Sequence, residues 1–239
     1  MLEGDKTSKG SIGIDLQGAN IVVLDLECLH SPDDCLHCGK PGSACHDIGD
    51  TPPHIFQKIG WENKVALGLA IGCYWDYQDM RLHFFDRSTL AGTMRFFVDR
   101  SPLLVSFNGT TFDFALMRAL LRHEEALHSL CDAFKSLCAQ GYDVLQEIWK
   151  AYPESKLVRG LNGLDAIAQA NGLGKKAMDG ATAPRLWAQG RIAEVVQYCA
   201  EDVRKTRVLF ELACGDMPIL RSDGKPIMLP RATMPHQGC

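Results

Sequence analysis

The segment Ile21-Val22-Val23-Leu24-Asp25-Leu26-Glu27 is an apolar run interrupted twice, by carboxylates two residues apart. Side chains along a strand alternate between its faces, so the run predicts a strand that projects Asp25 and Glu27 from one side. Two more strands are expected, one from Lys64 to Trp75 and one from Arg81 to Phe85, around a hairpin turn at Asp76-Tyr77-Gln78-Asp79. Ser88 or Thr89 is placed to cap a helix containing Met94, Phe96 and Phe97. A further apolar run from Pro102 to Phe107 ends at the turn pair Asn108-Gly109, and a helical pattern opens at Phe112-Asp113-Phe114. From His123 to Gly141 the apolar spacing gives an amphipathic helix or helix pair that covers the core, and Asp143 begins another element. Ile192, Val195, Val196, Cys199, Val203, Thr206 and Phe210 recur at helical spacing as one buried stripe, with Tyr198 and Asp202 one turn apart beside it.

Strand-like segments alternating with helix-like ones indicate the α/β class, in the order strand, hairpin, helix, strand, helix. With 239 residues, 46% of them hydrophobic, the chain can bury one substantial core. The expected division is a mobile leader over residues 1–20, rich in Gly, Ser and charge, a single domain over 21–214, and an irregular Pro-containing tail over 215–239.

Ionised carboxylates inside an apolar strand need cationic partners, and no Lys or Arg lies within this run. Oxygen-only donors favour Mg²⁺ or Mn²⁺. The plain alternative is a strand that ends at Asp25 and leaves both acids in water. Asp113, just beyond a strand and at the start of a helix, is a third acid, for which simple capping is the alternative. Asp202 with Tyr198 is the fourth, where an ordinary hydrogen bond would also account for the pairing.

In sequence order, Asp25-x-Glu27, then Asn108-Gly-x-x-Phe112-Asp113, then Tyr198-Cys-x-x-Asp202 resembles the DEDD superfamily of 3′-to-5′ exonucleases on the ribonuclease H-like fold. Tyr198, four residues before Asp202, points to the DEDDy subtype. Leu164 to Ala168, Gly172 to Lys175, Met178-Asp179-Gly180, Trp187 and Gly190 resemble the branch containing the proofreading domain of family B DNA polymerases. The likeness spans most of Ile21 to Ala213. It implies a ribonuclease H-like mixed β-sheet flanked by helices, and phosphodiester hydrolysis at a 3′ end by two Mg²⁺ or Mn²⁺ ions about 3.5–4 Å apart. By the same resemblance, Asp25 bridges both ions, Glu27 and Asp202 complete the nucleophile-side site, and Asp113 holds the second ion. Tyr198 orients the attacking water, since a phenol with a pKa of about 10 is a poor base at neutral pH. Asn108 and Phe112 fall near the terminal nucleotide, although Phe112 also suits the core.

A net charge of −4 excludes a broad basic footprint for long duplex. It suits an enzyme gripping the last nucleotides of a single strand, with DNA ahead of RNA as the expected partner. Lys175, with Lys176 beside it, is the expected local phosphate contact, and a solvated turn is the alternative. Residues 28–54 form a Cys/His-rich insertion in which Cys35-x-x-Cys38 is a zinc half-site turned by Gly39 and Pro41. Cys45 is the third candidate for a structural Zn²⁺, and Cys28, His30 and His46 compete for the fourth place; a metal-free or redox-sensitive loop is the alternative. The sequence carries no stretch of about 18 apolar residues and no signal peptide, so no membrane span and a cytoplasmic location are expected. Rival readings are an endonuclease of the same fold, a nucleic-acid-binding module without catalysis, and a zinc-dependent interaction protein.

Overall fold

The computed structural model describes residues 14–40, 57–158, 160–175 and 180–233. In chain order the elements are β1 (Ile21–Cys28), α1 (Lys64–Leu67), β2 (Leu69–Asp76), β3 (Arg81–Phe85), α2 (Leu90–Arg100), β4 (Leu103–Ser106), α3 (Asp113–His123), α4 (Cys131–Ala139), β5 (Tyr142–Asp143), α5 (Val144–Ala151), α6 (Leu164–Ala170), α7 (Ala183–Ala188), α8 (Ile192–Cys214), β6 (Ile219–Leu220) and β7 (Pro226–Ile227). The first five strands form one sheet in the order β3-β2-β1-β4-β5. Neighbours β1–β2 and β2–β3 run antiparallel, while β1–β4 and β4–β5 run parallel. A mixed α/β sheet of ribonuclease H-like form, with helices on both faces, is therefore the architecture.

Alternation along β1 sorts its side chains cleanly. Val22, Leu24 and Leu26 enter the core layer shared with α2, α3 and α4. Ile21 and Val23 enter the opposite layer, against Val195, Cys199 and Val203 of α8. Asp25 and Glu27 continue that second row, so they emerge where the apolar contact with α8 gives way to a cleft. Being central, β1 is covered on both faces, and this puts its acids at low exposure.

Several local readings are corrected. Lys64–Leu67 is a helical turn and the second strand begins only at Leu69: Asn63 caps the turn by accepting the Ala66 amide at 3.2 Å, and Gly68, at φ 63°, breaks it from the strand. Thr89 precedes α2, but its side chain caps nothing; the Asp86 carboxylate instead accepts the Ser88 and Thr89 amides at 2.9 and 3.1 Å. Ile192 does not join the buried stripe of α8, being 46% exposed in its first turn.

Residues flanking the sheet are tied to it. Within the segment expected as a mobile leader, the Gly18 amide donates to the Tyr77 carbonyl at 2.7 Å and Asn20 accepts from Arg100 Nε at 2.8 Å. Arg100 in turn makes a two-pronged ion pair with buried Asp76. In the C-terminal segment, β6 and β7 form a short antiparallel hairpin. Asn171 binds both backbone groups of Leu220, and the Tyr142 hydroxyl donates to the Pro230 carbonyl at 2.8 Å, so this tail packs on the domain.

Candidate active site

Three separate elements carry the acids to one cleft of about 580 Å³: Asp25 and Glu27 from β1, Asp113 from α3, and Tyr198 with Asp202 from α8. Carboxylate oxygens of Asp25 and Glu27 and the Cys199 sulfur lie within 4.8 Å of one another. Glu27, Asp113, Tyr198 and Asp202 are all buried.

Asp113 is held by the strand it faces, its Oδ1 accepting the Leu26 amide at 3.0 Å. That bond falls between the two β1 acids, which locks the start of α3 against them. The chain reaches this position through a tight loop after β4. Asn108 adopts a left-handed φ of 68°, and a Cβ on Gly109 would meet Ser106 Oγ at 2.1 Å, so glycine alone allows the close turn. Asp143 braces this loop: its carboxylate accepts the Asn108 amide at 2.8 Å and the Thr110 amide at 2.9 Å. The same carboxylate caps α5 through the Leu145 and Gln146 amides.

The electrostatics of the cleft call for positive charge. Burial, then the neighbouring Asp143 and, more weakly, Asp202 push the Asp113 carboxyl up to about 8. Burial and Glu27, followed by Asp113, push the Cys28 thiol on the same strand up to about 12. Cys199 is raised well above its ordinary value by burial, with Cys73, Asp25 and Glu27 adding to the effect, so it stays a thiol. Its Sγ donates to the Asp25 carbonyl at 3.3 Å, which ties α8 to β1. The remaining donors are carboxylate oxygens, the set that hard divalent cations such as Mg²⁺ or Mn²⁺ take. The residues present therefore fit a divalent metal centre.

The walls of the cleft add features not read from the sequence. Trp61, 54% exposed, meets Phe112 edge to face at 6.1 Å, and the Lys64 ammonium lies 5.2 Å over the Phe112 ring. Asn108 and Thr111 complete that rim. Phe112 is half-buried, at once rim and core contact. Gly180 stands beside the phenol, where a Cβ would lie 3.2 Å from the Tyr198 oxygen. Trp61, in the turn before α1, and Lys64, its first residue, escape sequence reasoning because they meet Phe112 only through tertiary packing.

Lys175 does not reach the acidic cleft; it is exposed and lines a neighbouring cavity. In the Cys/His-rich segment, Cys35 and Cys38 share one tight turn, with the Gly39 amide donating to the Cys35 carbonyl and the Cys35 amide to the Lys40 carbonyl, both at 2.8 Å. Gly39 sits at φ 65°, and a Cβ there would strike the His30 ring at 2.8 Å. His30 and Cys28 also line the acidic cleft. Cys45 and His46 lie outside the described residues.

No helix among the described residues is long and apolar enough to cross a membrane. A search of curated proteins finds no match to the chain. A family model described as RNase_H superfamily matches residues 62–214, a span that contains Asp113, Tyr198 and Asp202 and begins after β1. With this match over more than half of the sequence, and with the mixed sheet carrying acids to one cleft, the chain belongs to the RNase H superfamily, whose nucleases act on nucleic acid with divalent metal ions.

Proposed function

We propose that this chain is a 3′-to-5′ exonuclease of the DEDDy type acting on single-stranded ends, DNA in preference to RNA. One observation carries the reading: Asp25, Glu27, Asp113 and Asp202, drawn from positions far apart in sequence, line a single cleft together with Tyr198. The 3′ polarity rests on the resemblance of the Tyr198-Cys-x-x-Asp202 motif.

Asp25, Glu27, Asp113 and Asp202 would hold two Mg²⁺ or Mn²⁺ ions. Bound there, such ions supply a hydroxide at neutral pH and neutralise charge on the leaving oxygen. The chain's own groups do the rest. Tyr198 hydrogen-bonds and orients the attacking water; Asn108 donates to the terminal nucleotide; Phe112 packs against its sugar or base. Trp61, exposed beside Phe112 and Lys64, offers a flat face on which the next base stacks, worth about 1–3 kcal/mol per base. This economy of contacts agrees with a chain of net charge −4.

A structural Zn²⁺ belongs to the same reading, held by Cys35 and Cys38 with further ligands from Cys45 and from Cys28, His30 or His46. The tight turn at Gly39 supports it, because paired cysteine sulfurs in such turns are a usual half-site. Metal analysis of the purified protein tests this directly: about one zinc per chain is expected, lost in Cys35→Ser.

The activity is tested with a 5′-labelled single-stranded oligonucleotide and Mn²⁺. Stepwise shortening is expected, abolished in Asp25→Asn and in Asp202→Asn at unchanged circular dichroism. Cleavage that starts at internal positions would assign an endonuclease, and degradation that survives both substitutions would overturn the site.

A further inference from the structure

A second cavity, of about 620 Å³, adjoins the acidic cleft across Tyr198, which lines both. The same two helices build the boundary. On α7, Pro184 faces the acidic side and Arg185 the other; on α8, Asp202 faces the acidic side and Lys205 the other. Among the described residues five cations line this second space, Lys175, Arg185, Arg191, Arg204 and Lys205, against two carboxylates. Both carboxylates are already engaged, Glu194 by both prongs of Arg191 at 2.6 Å and Glu201 by Arg204 at 3.1 Å.

Lys205 is the informative member. It is only 2% exposed, yet it takes part in none of the hydrogen bonds or ion pairs found among the described residues. Its Nζ is not among the fully buried side-chain atoms that lack a partner, so the stem packs in the wall while the ammonium opens onto the cavity. Lys175 and Arg185, on the outer wall, likewise meet no carboxylate among the described residues. Among the described residues this leaves three cations, Lys175, Arg185 and Lys205, without a carboxylate partner around a cavity of about 620 Å³, on a chain whose net charge is −4.

We infer that this cavity is an anion subsite that seats a backbone phosphate of the nucleic-acid strand whose end occupies the acidic cleft, with Lys205 as its inner contact and Arg185 at its mouth. The assignment to the substrate strand rests on the reading of the acidic cleft as a nuclease site; the affinity for phosphate does not. Ammonium and guanidinium groups are the usual partners of phosphate oxygens. A strand phosphate would also supply an acceptor for the Lys205 ammonium, which has none among the described residues. Tyr198 stands at the junction, so a strand passing it would be gripped on both sides of the phenol.

Binding of a fluorescein-labelled single-stranded oligonucleotide, measured by anisotropy in EDTA on the full chain, tests this without calling on catalysis. Lys205→Met keeps the side-chain volume and removes the charge; the expected result is roughly tenfold weaker binding and a salt-dependence slope smaller by about 0.7, the value of one single-strand phosphate contact. Arg185→Gln, on an exposed position that cannot unfold the core, is expected to lower the slope similarly. Inorganic phosphate serves as the second probe, read as an increase in Tm that Lys205→Met abolishes. Oligonucleotide affinity and slope unchanged in both variants would overturn the proposal. So would a phosphate-dependent Tm increase in a protein that binds no oligonucleotide, since the cavity would then serve a free anion. If hydrolysis is absent while the charge-dependent strand binding persists, the nuclease reading fails and the subsite stands.

Discussion

Asp113→Asn should make the metal-free protein more stable, and more so as the pH rises. Asp113 is 1% exposed, with its carboxyl raised from 3.8 to about 8 by burial and by Asp143 and Asp202. Because the folded-state value lies above the unfolded one, the native state holds a proton that the unfolded chain has released, and stability falls as pH climbs from about 4 to about 8. Each unit of separation is worth about 1.4 kcal/mol. Water in the open cleft screens part of this, which leaves a net difference on the order of 2–3 kcal/mol between the proteins at alkaline pH. Asparagine keeps an oxygen for the Leu26 amide, so only the charge is removed. For a chain of this length that corresponds to roughly 4–12 °C in Tm. Thermal melts in EDTA should coincide at or below pH ~4 and separate by that amount near pH ~9, with the variant higher. Adding Mn²⁺ should close the gap by raising the wild-type protein alone. Identical melts of the two proteins over the whole range would refute the idea that an acid cluster is strained by its own charge.

Asp143→Ala removes the brace of the Asn108 loop and the cap of α5 together, and should cost about 2–4 kcal/mol in urea unfolding, with activity lowered because Asn108 is no longer held. Tyr198→Phe should lower single-turnover hydrolysis by about tenfold to a hundredfold while calorimetric Mn²⁺ affinity stays the same, since in the proposed reading the phenol orients water and holds no metal. Gly109→Ala should destabilise by about 1–3 kcal/mol, read from the urea midpoint, because the new Cβ meets the Ser106 Cβ at 2.5 Å and neither backbone has room to move.

Asp25 and Glu27 are legible in the sequence because a period of two is a purely local property, and the strand bears it out. Asp113 and Asp202 are legible only through motif likeness: nothing local says that a helix start and a distant helix turn will meet the same strand. The α1 turn misleads because Lys64 to Leu67 carries apolar residues that a strand would also accept, and only the positive φ of Gly68 separates turn from strand. Asp143 is readable as a cap, but its second duty depends on β5 lying beside β4, a tertiary fact. Lys205 looks like an ordinary surface residue of an amphipathic helix, and only tertiary packing brings its exposure down to 2%.

The long helix α8 both roofs the central strands, through Val195, Cys199 and Val203, and delivers Tyr198 and Asp202. Competence and completeness are thereby linked during biosynthesis. A chain ending before Ile192 would uncover the face of β1 that carries Ile21 and Val23 and would lack Tyr198 and Asp202, two of the five candidate catalytic residues of the acidic cleft. The acidic cleft is complete only when the last helix has closed over the first strand.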